Sequence, residues 1–200
     1  MAILELVRIV IEIIKMASVR KASAYSKKKP VVNTRKSKMQ QKSFIKTIPP
    51  QKIVKFNMGD YQGFENGNYK FKLALNTGEN VQIRDLALEA IRQSLNKDMT
   101  IAFQKNFFLR CNVYPHNILR NNRIFSGGSK GERIQSGMKH SFGSSEGRAA
   151  TVKKRKPVFS IYFNEEKNVS KVRDFLKKVK PKIPGRSIIS FERFEWDSNN

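Results

Sequence analysis

Residues 84–99 read RDLALEAIRQSLNKDM, and their spacing decides the fold. Ile83, Leu86, Ala87, Ala90, Ile91 and Leu95 recur at intervals of three and four, which places them on one stripe of an amphipathic helix. On either side the period changes to two. Lys52 to Met58 and Tyr69 to Asn76 alternate apolar with polar residues, and Gly63, Asn66 and Gly67 between them read as a turn, so a β-hairpin is expected there. Downstream, Phe107 to Tyr114 reads as a strand with Leu109, Cys111 and Val113 on one face and Arg110 and Asn112 on the other. A strand pair is expected around Ala149 to Lys156 and Val158 to Phe163. A second helix, Val169 to Val179, carries Val172, Phe175, Leu176 and Val179 as its buried stripe and Lys171, Lys177 and Lys178 elsewhere; Pro181 and Pro184 stop it. Ser187 to Phe194 forms the last strand. Strands mixed with two helices, without strict βαβ alternation, predict an α+β domain with a mainly antiparallel sheet over residues 53–195.

Charge says what the domain meets. Forty Lys and Arg against sixteen Asp and Glu leave +24 on 200 residues, with a pI near 10.4. A compact chain with that excess repels itself, so a polyanionic partner such as nucleic acid or an anionic membrane is implied, and a free enzyme with a neutral surface is disfavoured. From Ile13 to Gly59 there are thirteen Lys and Arg and no Asp or Glu. Residues 16–52 are therefore a basic arm, broken by Pro30, Pro49 and Pro50, expected to be extended and mobile alone and ordered by a phosphate backbone. Ahead of it, MAILELVRIVIEIIK could form a short amphipathic helix; it falls short of the ~20 residues of a membrane span. These fifteen residues are expected to reflect an upstream start codon before Met16, and residues 196–200 to be a disordered acidic end.

Little of the sequence suits catalysis. The single cysteine, Cys111, excludes a disulfide framework and multi-thiolate zinc sites, and is most simply a packed thiol. His116 and His140 lie in separate segments without a triad partner nearby. Gly127, Gly128 and Gly131 surround Lys130 but lack the phosphate-loop spacing. No cofactor, metal or homo-oligomer is expected, and of the two polyanions the distribution of the cations favours folded RNA over a membrane surface. Residues 126–147 hold six of the eleven glycines and six serines, and so long a connection without apolar period is functional or disordered.

What remains suits RNA. The arm supplies Arg20, Lys21, Lys27, Lys28, Lys29, Arg35, Lys36, Lys38, Lys42 and Lys46. Among them Tyr25 and Phe44 could stack on bases; for Phe56, half-buried strand packing is the better reading. Arg110, Arg120 and Arg123 bracket Tyr114-Pro115-His116 as a second cluster, and Lys153, Lys154, Arg155 and Lys156 form a third. Several separate basic surfaces imply a partner that encloses the protein, a large folded RNA.

From Met16 onward the chain resembles the universal large-subunit ribosomal protein family known as L-sixteen in bacteria and L-ten-e in archaea and eukaryotes, most closely its archaeal branch. The resemblance rests on ordered motifs: Arg20-Lys21-Ala22 with Tyr25, Ser43-Phe44-Ile45-Lys46, Ile48-Pro49-Pro50, Met58-Gly59 and Ala87-Leu88-Glu89-Ala90. Tyr114-Pro115-His116 with Leu119-Arg120, Gln135-Ser136-Gly137-Met138, Phe142-Gly143 and Pro184-Gly185-Arg186 continue the series. It implies an α+β fold of the α/β-hammerhead type, not an enzyme, in the large subunit of cytoplasmic ribosomes. There it would dock on large-subunit rRNA between the central protuberance and the peptidyl-transferase centre, beside acceptor-site tRNA and neighbouring ribosomal proteins, with 5S rRNA a further candidate partner. By the same resemblance Arg186 contacts RNA, and Gln135, Gly137, Met138, Lys139, Phe142 and Gly143 form the loop that approaches the catalytic centre. Two departures stand out. Ser144 and Ser145 replace the family's usual Lys-Pro after Phe142-Gly143, and Asn117 stands where a second histidine is common, which leaves His116 between an RNA contact and a local turn hydrogen bond. The alternative is a free RNA chaperone or assembly factor, which high-salt sedimentation of intact subunits separates from a resident protein.

Overall fold

The computed structural model describes residues 22–27, 31–37, 43–121 and 143–193; the expectations for the first fifteen residues, for most of the glycine-rich loop and for the acidic end lie outside them. All strand pairs are antiparallel. A five-stranded sheet runs in the order β1 (Asn57–Gly59), β4 (Phe108–Cys111), β7 (Pro157–Phe163), β2 (Phe71–Thr77), β8 (Ser187–Arg193). A three-stranded sheet runs β3 (Val81–Arg84), β6 (Ser144–Val152), β5 (Asn117–Asn121). Among the described residues three α-helices join them: α1 (Tyr61–Glu65), α2 (Asp85–Phe103) and α3 (Val169–Val179). The α+β class and its antiparallel character are as the sequence indicates.

One face of the larger sheet, with Leu73, Leu75, Leu109, Phe159 and Ile161, packs against α2 and α3. Leu88, Ile91, Leu95 and Met99 of α2 are fully buried there, each worth roughly 1.5–3 kcal/mol of removed apolar surface. The α2 stripe is rotated from its expected position. Ile83 belongs to β3, paired with Ala150, and Ala90 is exposed, because Asp85 starts the helix and turns Leu88 inward. In α3 the expected bounds and stripe hold, with Val172, Leu176 and Val179 buried and Phe175 half-buried.

Two expected strand pairings are corrected. Residues 52–58 and 69–76 do not form a hairpin: β1 pairs with β4, and both edges of β2 are taken by β7 and β8. The Gly63 region is α1 rather than a turn, since Asp60 accepts the Gly63 amide at 2.9 Å and caps a short helix. The strands around residues 149 and 160 exist but lie in different sheets, β6 against β3 and β5, β7 against β2 and β4. β6 also begins earlier than expected, at Ser144, so the end of the glycine-rich segment is strand, and residues 122–142 connect two paired strands.

The described parts of the arm make backbone contacts to the smaller sheet. Lys27 bridges Val81, the Gln82 amide donates to the Ser26 carbonyl at 2.8 Å, and the Ile118 amide donates to Asn33 at 2.9 Å. The arm thus lies across the smaller sheet.

Candidate nucleic-acid interface

The β2–β3 and β6–β7 connections both cross from one sheet to the other, and they meet. Thr77 is the tie: its hydroxyl donates to the Lys153 carbonyl at 2.8 Å, its amide to the Lys156 carbonyl at 3.2 Å, and its carbonyl accepts the Arg155 amide at 2.7 Å. Asn80 Oδ1 accepts the Lys154 amide at 2.9 Å. Arg155 sits at φ 64, a left-handed position that closes the turn tightly and leaves all four basic side chains outside.

A third segment joins from the far end of the chain. The Gly78 amide donates to the Arg186 carbonyl at 2.6 Å, and a Cβ on Gly78 would stand 2.9 Å from that oxygen. Gly185, at φ +73, turns the chain so close to Val81 that a Cβ would lie 3.1 Å from its side chain. Lys27 comes to the same place through its bridge to Val81. Six of the cations singled out in the sequence, Lys27, Lys153, Lys154, Arg155, Lys156 and Arg186, are therefore collected around residues 77–82 from three distant segments. All six are exposed, and among the described residues none is ion-paired; Glu79 is the exposed acid beside them. A rigid turn carrying unneutralised cations is suited to a phosphate backbone.

The second expected cluster is divided. Arg110 is exposed on β4 of the larger sheet, while Arg120 lies half-buried on β5 of the smaller one and donates to the Phe44 carbonyl at 2.9 Å. Between them, Tyr114 is half exposed, at 52%, and stacks on half-buried Phe56 with centroids 5.7 Å apart. His116 meets the Tyr114 carbonyl through Nδ1 at 3.1 Å, the local contact, and its ring stays exposed. Sequence reasoning missed Arg148. Its Nε donates to the Pro49 carbonyl at 2.7 Å and its Nη1 to the Tyr114 hydroxyl at 3.1 Å, so one guanidinium fixes the arm's end and an aromatic platform together. Only its place beside the glycine-rich segment could have drawn attention to it.

In the arm, Arg35, Lys36 and Lys46 are exposed and brought near one another by the Thr34–Phe44 bridge. Tyr25 is turned inward. Its ring packs on Leu119 and Ala149, beneath the Arg84 guanidinium at 6.0 Å, and its hydroxyl donates to the Arg120 carbonyl at 3.4 Å. It braces the arm and offers no open face to a base in this conformation. Asn117, fully buried, is the anchor: its Oδ1 accepts the Asn33 amide at 2.9 Å and its Nδ2 donates to the side chain of buried Gln82, whose Nε2 reaches the Tyr25 carbonyl at 2.7 Å. Asn117→Ala strands the Asn33 amide and the Gln82 carbonyl, so a loss of about 2 kcal/mol in denaturant unfolding is expected, with faster amide exchange at Asn33 and Ile118. Unchanged exchange there would show that the arm is held otherwise.

Of the other residues singled out, Arg20, Lys21, Lys28, Lys29, Lys38, Lys42, Arg123, Gln135, Gly137, Met138, Lys139 and Phe142 lie outside the described residues. Gly143, at φ 138, leads into β6. Cys111 is buried in the main core, where burial pushes its thiol up to about 11, and it donates to the Val113 carbonyl at 3.4 Å; it is packing, not a nucleophile. Among the described residues no group of His, Cys, Asp or Glu could hold a metal ion, and no helix is long and apolar enough to cross a membrane.

Comparison with known proteins shows the family. A family model described as ribosomal protein L16p/L10e matches residues 31–190. The chain is 38% identical over 151 residues to the large ribosomal subunit protein uL16 of Thermofilum pendens, covering 75% of this chain and 86% of that one. It is 31% identical over 167 residues to the protein of the same name in Methanosphaerula palustris, covering 83% and 93%. With that of Nanoarchaeum equitans it shares 31% over 172 residues, covering 86% and 91%.

Proposed function

The chain belongs to the ribosomal protein L16p/L10e family, and from that premise we propose that it is a non-enzymatic structural component of the large ribosomal subunit in the cytoplasm, docked on large-subunit rRNA chiefly through the cationic junction of its two sheets. The observation that carries the docking surface is the convergence of Lys27, the Lys153 to Lys156 turn and Arg186 on residues 77–82 without ion-pair partners among the described residues. The docked arm extends that surface with Arg35, Lys36 and Lys46, and the Phe56–Tyr114 stack gives an unpaired base a place to rest. The connection 122–142 leaves from the ends of β5 and β6; in this reading it reaches the peptidyl-transferase centre and helps to position acceptor-site tRNA. Neighbouring ribosomal proteins complete its surroundings, with 5S rRNA a further candidate.

Salt dependence tests the junction. Each phosphate neutralised contributes about 0.9 to the slope of log K against log salt on duplex DNA and about 0.7 on single strands. Replacing Lys153, Lys154, Arg155 and Lys156 together by glutamine keeps the turn's backbone bonds and is expected to flatten that slope by about 2 to 4 for an rRNA fragment. A slope equal to the wild type would remove the junction from the interface.

A further inference from the structure

A cleft at the β1–β4 edge of the larger sheet takes no part in the cationic junction. It lies between the start of α1, the last turns of α2 and the chain at 104–107, with a volume of about 650 Å³, inside the roughly 300–1,000 Å³ span of small-ligand sites. Its walls are tied by backbone bonds: Asp60 to the Phe107 carbonyl at 2.9 Å, Asn106 to Phe103 at 2.9 Å, and Gln104 to Thr100 at 3.0 Å. The cleft is therefore formed before anything enters it.

We propose that this cleft receives one unstacked adenine base of a single-stranded RNA segment, a reading that rests on RNA being the partner. Four side-chain amides line it: Gln62 from α1, Asn96 from α2, Gln104 from the residue that ends α2, and Asn106 from the following turn. None of the four amides makes a hydrogen bond to another described residue, so their donors and acceptors are free to meet a base edge, as Asn and Gln do with adenine. Tyr61 stands at the rim, 46% exposed, its ring backed by Phe108 with centroids 5.8 Å apart, and presents an aromatic surface on which a base can stack. Lys105, exposed beside it, can meet the adjoining phosphate.

Charge decides which part of a nucleotide goes in. The last turn of α2, which carries the partial negative charge of a helix C-terminus, lines one wall of the cleft, and Asp60 lines another. Such surroundings repel a phosphate and favour a base edge with an exocyclic amine, adenine above uracil. A segment of a neighbouring protein is the competing occupant, but it would leave the base preference below without a cause.

The test uses the full chain and three fluorescein-labelled heptamers of equal charge, oligo(A), oligo(U) and an abasic ribose strand, titrated by anisotropy at one salt concentration. Oligo(A) is expected to bind about tenfold more tightly than the abasic strand, with oligo(U) between them. Gln62→Ala with Asn96→Ala, and separately Tyr61→Ala, should reduce that margin to less than threefold and leave abasic binding unchanged. The glutamine turn variant should weaken all three strands alike. Equal binding of the three strands by the wild type, or an undiminished margin in the amide double variant with an unchanged melting temperature, overturns the cleft while leaving the junction standing. Failure to bind any of the three overturns both.

Discussion

Asp85→Ala is expected to lower the stability of the domain by about 4 kcal/mol and to release the end of the arm, because three backbone donors lose one buried acceptor at once. Asp85 is 3% exposed at the first turn of α2. Its Oδ1 accepts the Leu86 amide at 2.8 Å, its Oδ2 accepts the Lys52 amide at 3.2 Å, and the Arg148 backbone amide also bonds to it. Those donors belong to the helix, to the arm's last residue and to the middle of the smaller sheet. One carboxylate thus joins the three parts that position the RNA-facing surface. Asn in its place keeps one acceptor oxygen, so Asp85→Asn should lose about half as much, read by urea denaturation.

The pH dependence follows from burial. Desolvation holds the Asp85 carboxyl above its ordinary value, against the pull of the Leu86 and Lys52 amides and the Lys52 charge. The folded protein therefore binds this proton more tightly than the unfolded chain. The contribution is full below about pH 4 and is lost as pH rises through the raised value. The stability gap between wild type and Asp85→Ala should be widest in acid and narrow toward neutrality. Glu89, one turn on, behaves oppositely: the Arg92 guanidinium, above all, holds it below its usual value. Its contribution is present above the ordinary carboxylate value and lost as pH falls through the lowered one. An Asp85 gap that widened with rising pH would mean that its hydrogen bonds, not its burial, dominate.

How far the sequence reaches is visible in these same elements. Helix α3 was legible to the residue, because Val172, Leu176 and Val179 follow one period and Pro181 comes at its end. The start of α2 was not, since Ile83 belongs to a strand yet falls in helical register with Ala87 and Ala90, and periodicity has no means of separating two elements that share a spacing. The hairpin failed for a different reason. Alternation in residues 54–58 puts Phe56 and Met58 on one face, half-buried and buried, but which strand lies alongside is a long-range choice, and β4 won it. The site divides in the same way. That Lys153 to Lys156 form a basic cluster was readable, and Arg186 followed from the resemblance; that Thr77 and Gly78 draw the two segments together was not, because those bonds span 76 or more positions in the chain. Tyr25 read as a stacking residue because its neighbours are basic, whereas its burial depends on Leu119 and Ala149. The amides of the cleft carry no motif at all.

Gly59→Ala should produce a loss of similar size, about 4 kcal/mol, from a single methyl group. Gly59 ends β1 at φ +88, where an L side chain costs about 1–2 kcal/mol through its own backbone. The larger part is contact. A Cβ there would lie 2.1 Å from the Phe107 carbonyl oxygen, and that oxygen is fixed because it accepts the Asp60 amide at 2.9 Å. Moving it breaks this bond, loosens the Gly59–Phe108 end of the β1–β4 pair and shifts Asp60, whose side chain caps α1 and accepts the Tyr69 hydroxyl at 3.4 Å. Tyr69 supplies a readout independent of unfolding. Burial, then the Asp60 charge and hydrogen bond, pushes its hydroxyl up to about 12, so absorbance titration in alkali should show one tyrosine titrating earlier in the variant. Asn separates the two causes, since it tolerates positive φ far better than Ala but brings the same Cβ. Both variants should therefore be strongly destabilised. Recovery of wild-type stability in Gly59→Asn would place the whole effect in the backbone angle and none in the approach of the Phe107 carbonyl, and the adjoining cleft would then keep its shape, and its base preference, without a glycine at its floor.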